Sequence, residues 1–168
     1  MILWINGAYG SGKSTIARAL HKKLDKSFLY NPENSGNFIR ENVPERMWKD
    51  DFQDYPMWRQ VNVQMLKYLE KNHDGIIIVP MTIVRKKYYD EVITELRAAG
   101  VLLMHIILLA NRETLFNRLI ARGEETDSWC VEQIDRCVDA LNEDIDGIKM
   151  DTNNRDVASI VSDIKQLI

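Results

Sequence analysis

The sequence predicts an α/β fold, five parallel strands covered by helices on both faces, and three observations predict it. Short unbroken apolar runs recur along the chain, "MILWI", "DGIIIVP" and "VLLMHIILLA" among them. Runs of that length without polar alternation suit a parallel sheet buried on both faces. Between them lie stretches with apolar residues at helical spacing, so strands and helices alternate. The third observation is "GAYGSGKST", residues 7–15, which follows the first run directly and leads into the first helix.

That stretch fits G-x-x-x-x-G-K-[ST], with Gly7, Gly12, Lys13 and Ser14 at the fixed places. Glycine weakens helices and strands, so such a cluster needs a backbone reason. A loop of this kind turns successive N–H groups inward and makes a nest for phosphate oxygens. Gly7, Ala8, Tyr9, Gly10, Ser11, Gly12, Lys13, Ser14 and Thr15 are therefore expected to hold the phosphates of ATP. Lys13 is expected to reach the outer phosphates, and the Ser14 hydroxyl to be the loop's ligand for Mg²⁺. A chance glycine-rich turn lacks the strand before it and the helix after it.

The elements follow in order. The first helix carries Ile16, Leu20 and Leu24 in "KSTIARALHKKL". "SFLYN", closed by Pro32, reads as the second strand. "SGNFIRENVPERMWKDDFQDYP" mixes apolar and charged residues around two prolines, which predicts a short helix and an irregular turn. Trp58, Val61, Met65 and Leu69 keep helical spacing from Met57 to Glu70. "DGIIIVP" is the third strand. Tyr89, Val92, Ile93 and Leu96 mark a helix that stops at Gly100, a natural C-terminal glycine. "VLLMHIILLA" is the fourth strand, "RETLFNRLIARG" an amphipathic helix and "SWCVEQIDRCVDAL" one further helix. "IKMDT" is the last strand, and "RDVASIVSDIKQLI" closes the chain as a helix. Without repeats or linkers, residues 1–168 read as one nucleotide-binding domain, with a lid around residues 112–141.

Composition narrows the function. The chain is 45% apolar and 28% charged, which suits a folded soluble domain. Its net charge is −3 and its isoelectric point near 5.7, so a nucleic-acid partner held by charge is not expected. No charged-then-apolar leader precedes the loop, and the longest apolar run, Val101 to Ala110, is too short to span a bilayer. A cytoplasmic protein with a small-molecule partner and no stable membrane association is expected. Cys130 and Cys137 lie seven positions apart on one face of the expected helix, about 10 Å along its axis, too far for a disulfide. They read as core-facing thiols. His21, His73 and His105 have no ligand spacing and read as surface or packing residues.

A phosphate loop alone does not choose between GTPases, motor ATPases and kinases. No N-K-x-D motif is present, and "IIIV" ends in Pro80, where the other two classes usually offer an aspartate to Mg²⁺. Little length remains for switch segments, which favours a small-molecule kinase. Such a kinase needs a base near the acceptor hydroxyl. Glu33, after the second strand, is the first candidate; its other reading is an exposed turn glutamate, and Asp50 and Asp51 compete with it. Arg118 and Arg122, four apart in "RLIAR", are expected to share a helix face and to surround the moving phosphoryl group from the lid. Arg112 reads instead as part of a solvated basic face, and Arg136 lies on the following helix. In "DDFQDYPMWRQ", Tyr55, Trp58 and Phe52 offer flat faces, while Asp51, Gln53 and Arg59 offer hydrogen bonds to hydroxyls or an anion. An ordinary loop packed by its aromatics is the alternative. Met81 and Thr82, at the third strand's end, complete the expected acceptor site.

"WINGAYGSGKS", "DDFQDYPMWR", "IIIVPMTIV", "ETLFNRL" and "SWCVEQIDRCVDAL" together resemble the tunicamycin-resistance ATP-binding proteins of bacteria, over nearly the whole chain. More distantly, the layout is similar to chloramphenicol phosphotransferase and nucleoside monophosphate kinases. The resemblance implies a P-loop kinase-like three-layer α/β/α fold, ATP binding, and resistance to the nucleoside antibiotic tunicamycin. Similarity to the chloramphenicol enzyme implies that an acid after the second strand is the base, and Glu33 is the matching position. Two departures stand out. The family pattern has an aspartate where this chain has Asn31, which leaves Glu33 as the only acid there. The family's best-known member has a C-terminal extension thought to touch the membrane; this chain stops at Ile168, so membrane association is not carried over. The expected function is an ATP- and Mg²⁺-dependent phosphotransferase acting on a small hydroxylated molecule, such as tunicamycin or a nucleoside-like relative. A binding protein that sequesters the drug with ATP but without chemistry, and a nucleotide kinase, are the alternatives.

Overall fold

The structure is a computed structural model and describes all residues, Met1–Ile168. β1 (Ile2–Gly7) is the central strand. Its neighbours in the sheet are distant in sequence: it pairs in parallel with β3 (Ile76–Pro80) on one side, Ile2 opposite Ile77, and with β4 (Leu103–Leu109) on the other, Ile2 opposite Leu103. β2 (Ser27–Leu29) and β5 (Ile148–Asp151) form the edges, so the order is β2-β3-β1-β4-β5, all parallel.

Alternation along β1 divides the core into two layers. Leu3 and Ile5 pack with Ile16 and Leu20 of α1 (Lys13–His21) and with Ile160 and Ile164 of α9 (Val157–Leu167). Ile2 and Trp4 face the larger layer, which holds Trp58 and Leu66 of α3 (Pro56–Asn72), Ile93 and Leu96. Each of these large side chains is fully buried and contributes about 1.5–3 kcal/mol by leaving water. The result is the expected three-layer α/β/α arrangement, with every strand's C-terminal end pointing toward the glycine loop's side of the sheet.

α2 (Glu33–Glu41) starts immediately after Pro32, and the Asn31 side chain accepts a 3.1 Å hydrogen bond from the Glu33 N–H. The helix expected around Tyr89 to Leu96 is α4 (Lys86–Tyr89), a π turn (Asp90–Thr94) and α5 (Glu95–Ala98) in continuous sequence. The wide turn buries Val92 and Ile93 together, and Gly100 follows at φ +81°.

The lid region differs from expectation. After α6 (Arg112–Ala121), the stretch expected as one helix is two: α7 (Trp129–Glu132) and α8 (Ile134–Glu143), joined at Gln133. The break lets Trp129 reach Tyr9 while Ile134, Cys137 and Leu141 keep α8 on the core. Both cysteines still lie close enough to Tyr9 and Lys13 to act on them electrostatically, as residues seven apart on one face do. Cys137 is buried as expected, but Cys130 is half-buried and lines a cavity.

Candidate active site

The glycine loop connects β1 to α1 at the C-terminal end of the central strand. Gly10 and Gly12 take φ +81° and +93°, where a side chain would be strained. A Cβ at Gly10 would also lie 2.9 Å from the Leu115 carbonyl oxygen. No side chain caps α1. The amides of Lys13, Ser14 and Thr15, in its first turn, have no intrahelical acceptor and stand at the positive end of the helix dipole. These three residues border a cavity of about 450 Å³ together with Tyr9, Arg18, Glu33 and Arg122. Met81, Thr82 and Cys130 complete its wall. Free amides, a lysine and two arginines around one cavity fit a polyphosphate, and the Ser14 hydroxyl is positioned on the same wall for a magnesium ion.

Lys13 donates from Nζ to the carbonyls of Gly7 and Ala8, both at 2.9 Å. Burial lowers its pKa to about 8, against the weaker upward pull of nearby groups that include Glu33. Nζ also lies 5.4 Å from the centre of the Tyr9 ring, and Tyr9 meets Trp129 edge to face. Burial, then the charge of Asp51, pushes the Tyr9 hydroxyl far above its ordinary value.

Asn6 joins the loop to the segment that follows β3. It is fully buried in β1, accepts from the N–H groups of Gly7 at 2.8 Å and Ile83 at 3.0 Å, and donates to the Ile83 carbonyl at 2.7 Å. The Thr82 hydroxyl donates to the Gly7 carbonyl at 2.8 Å. The phosphate loop and the end of β3 are thus one hydrogen-bonded unit. A lone polar residue closing the apolar run "MILWI" was the available signal for Asn6.

Several expected residues go elsewhere. Arg118 and Arg122 do not act on one site, because different partners draw their side chains to different cavities. Arg122 borders the phosphate cavity and pairs with Glu124 at 2.9 Å. Arg118 instead binds the hydroxyl and carbonyl oxygens of Thr152, at 3.2 and 2.7 Å. It lines a second cavity of about 370 Å³, which also takes in Gly12, Thr15, Thr152 and Arg155. Trp58 offers no open face: it is completely buried, and its indole N–H donates to the Pro32 carbonyl at 2.9 Å. Arg59 is also buried, bonded to Glu91 and to the Gln53 carbonyl, and stacked over Tyr88 at 4.3 Å. Both tie the segments around Pro32 and Gln53 together from within the core. Arg112 is exposed and pairs with Asp135 and Asp139, in line with its reading as a surface residue.

Asp51 and Gln53 are both buried. Asp51 begins a short 3₁₀ turn (Phe52–Asp54), accepting from the Gln53 N–H at 3.0 Å, with Arg136 3.6 Å away. Asp50 is exposed. Of the candidate acids, Glu33 alone borders the phosphate cavity.

The tunicamycin resistance protein of Deinococcus radiodurans has a similar structure, with a TM-score of 0.85 and 26% identity over 99% of this chain and 94% of that one. A gluconokinase from Sinorhizobium meliloti 1021 superposes with a TM-score of 0.65 at 17% identity, over 95% of this chain and 86% of that one. Shikimate kinase from Acinetobacter baumannii gives 0.63 at 14%, over 99% and 91%. These two share the P-loop kinase-like fold. No curated protein sequence matches the chain. A family model described as an AAA domain matches residues 2–142, most of the chain, and the protein belongs to that family.

Proposed function

We propose that the protein is an ATP- and Mg²⁺-dependent phosphotransferase acting in the cytoplasm on a small hydroxylated molecule, with a nucleoside antibiotic such as tunicamycin as the acceptor to test first. The observation that carries this reading is that Glu33 faces the same cavity as Lys13, Arg18 and Arg122. A carboxylate opposite a phosphate cradle is the arrangement needed to move a hydroxyl's proton as its oxygen bonds to phosphorus. The likeness to a tunicamycin resistance protein supports the choice of drug.

In this reading residues 1–168 are one domain and residues 112–141 its lid. The loop amides and Lys13 hold the phosphates of ATP, and Ser14 is the protein's ligand to magnesium, which offsets phosphate charge when bound. The second cavity, beside Gly12 and Thr15, takes the base, with Arg118 along one side. Glu33 accepts the acceptor's proton while the new O–P bond forms and the bond to the ADP oxygen breaks. Arg122 and Arg18 stabilise the oxygens of the transferring group. Met81 and Thr82 border the acceptor.

A mass spectrum of tunicamycin after incubation with protein and MgATP tests this. A gain of one phosphate supports transfer. Unaltered drug held in a tight complex would assign the protein to sequestration instead.

A further inference from the structure

α3 is apolar on two sides. Trp58, Val63 and Leu66 turn inward, as a core-facing stripe does. The helical spacing that runs through Val61 and Met65 continues on the outside instead. Met57 is 54% exposed, Val61 38%, Met65 42% and Tyr68 64%. Set four, four and three residues apart, they form one ridge along the helix. Phe38 adds a ring that is 65% exposed on α2, which meets α3 where the Asn62 amide donates to the Ser35 hydroxyl at 2.9 Å. Scattered apolar side chains on a surface need no explanation, but an aligned ridge marks an interaction site.

We propose that this ridge is the contact face of a homodimer, with α3 packed antiparallel against α3 of a second copy. Charge selects the partner. The exposed positions in the first three turns are Pro56, Met57, Gln60, Val61, Gln64 and Met65, none of them charged. The one arginine there, Arg59, is buried and bonded to Glu91. A charged rim would repel a second copy of the same face, and this one does not. An acidic or basic partner finds no counter-charge along these turns. An anionic bilayer finds none of the lysines and arginines that hold an interfacial helix.

Arrangement and area agree. A two-fold axis beside the middle of the ridge sets Val61 against the partner's Met65 and Met57 against the partner's Tyr68. Each contact then occurs twice, and each smaller side chain meets a larger one. For an ordinary side-chain surface of about 150–250 Å², the five exposed fractions come to roughly 500 Å² of apolar area. A standard interface covers about 800 Å² on each partner, about three-fifths of it apolar. The ridge and Phe38 supply that apolar share before any polar rim is counted. None of these residues borders the phosphate cavity, so the dimer stands apart from the phosphotransferase reading.

A face of this size supports micromolar or tighter association, so the test is sedimentation velocity on the whole protein from about 1 to 100 µM. Wild type is expected at twice the chain mass of 19.6 kDa. Val61→Glu and Met65→Glu, both at exposed positions and checked for folding by thermal melting, are expected to weaken the dimer about a hundredfold or more, because each places two carboxylates in the seam. Lys165→Glu, on the exposed side of α9, alters the net charge at least as much and should leave the dimer intact. Peroxide oxidation of Met57 and Met65, read by mass spectrometry, needs no variant: both are expected to slow several-fold from the lowest to the highest concentration. Wild type that stays monomeric throughout overturns the proposal, and its flotation with phosphatidylglycerol vesicles would assign the ridge to a bilayer instead. A dimer that survives both glutamate substitutions on α3, or whose formation leaves both oxidation rates unchanged, overturns it as well.

Discussion

Lys13 lies over the Tyr9 ring, its Nζ 5.4 Å from the ring centre, and Tyr9 in turn meets Trp129 at 5.1 Å with the rings 71° apart. This stack couples the phosphate loop to α7. Trp129→Ala is expected to lower ATP affinity several-fold and to cost about 1–2 kcal/mol of stability, since an aromatic pair contributes beyond its buried area. Fluorescent-nucleotide titration and urea melts measure both. Trp129→Phe should recover most of the loss; an unchanged affinity in the alanine variant would show the stack to be irrelevant to the nucleotide.

The Lys13 amine, lowered to about 8 by burial, predicts a pH dependence for ATP binding. Only the protonated amine offsets phosphate charge. Below pH 8 it is charged before ATP arrives; above pH 8 binding must take up a proton. Affinity should therefore weaken by up to tenfold per pH unit above about 8. Calorimetry at pH 8.5 in buffers of different ionisation enthalpy should register this uptake. Lys13→Ala should bind ATP weakly at every pH and show no uptake.

Ser14→Ala should raise the Mg²⁺ concentration needed for half-maximal activity several-fold, with a smaller effect on nucleotide binding without metal. The β3 end supplies Pro80 and no acid to share the ligand's duty. A magnesium titration that does not move would assign the metal to another group.

Glu33→Gln keeps size and hydrogen bonding and removes basicity. Single-turnover transfer is expected to slow by about 10²-fold, the lower end for a general base, because a loose phosphoryl-transfer transition state needs little proton removal. ATP affinity, set by the loop, should stay within twofold. Transfer within twofold of wild type would remove Glu33 from the role of base.

His105 provides a test of stability away from the site. Its ring is buried, with Nδ1 2.7 Å from the Asp146 carbonyl, and burial lowers its pKa to about 4. The unfolded chain binds a proton near pH 6.5 and the native chain only near 4. Stability therefore falls as pH drops through that window, by about 3 kcal/mol in all. His105→Gln should flatten this part of the pH–stability curve in urea melts at pH 7, 5.5 and 4.5.

The strands and the phosphate loop were legible because their physical requirements leave plain marks: unbroken apolar runs for a covered parallel sheet, and fixed glycine spacing for an inward-facing backbone. Partners across the fold leave no such mark. The polar and aromatic residues of "DDFQDYPMWRQ" look alike in sequence, yet Trp58 and Arg59 turn into the core to bond Pro32, Glu91 and Gln53, while Asp51 and Gln53 are buried against each other in a 3₁₀ turn. The spacing of Arg118 and Arg122 gives their places along α6 but not the partners, Thr152 and Glu124, that draw their side chains apart. Thr152, which captures Arg118, lies 34 residues away along the chain. Helical periodicity encodes neither the break at Gln133 nor the contact between Trp129 and Tyr9.

The place of β1 in the middle of the sheet has a consequence for how the protein is made. β1 leaves the ribosome with both of its neighbours far downstream, at residues 77–80 and 103–108. Asn6 likewise finds its partners only at Ile83. The glycine loop is therefore synthesised well before the strands that give it a shape. Nascent chains stalled before β4 emerges should lack the nucleotide cradle altogether, with an apolar first strand that chaperones must shield until its two partners arrive.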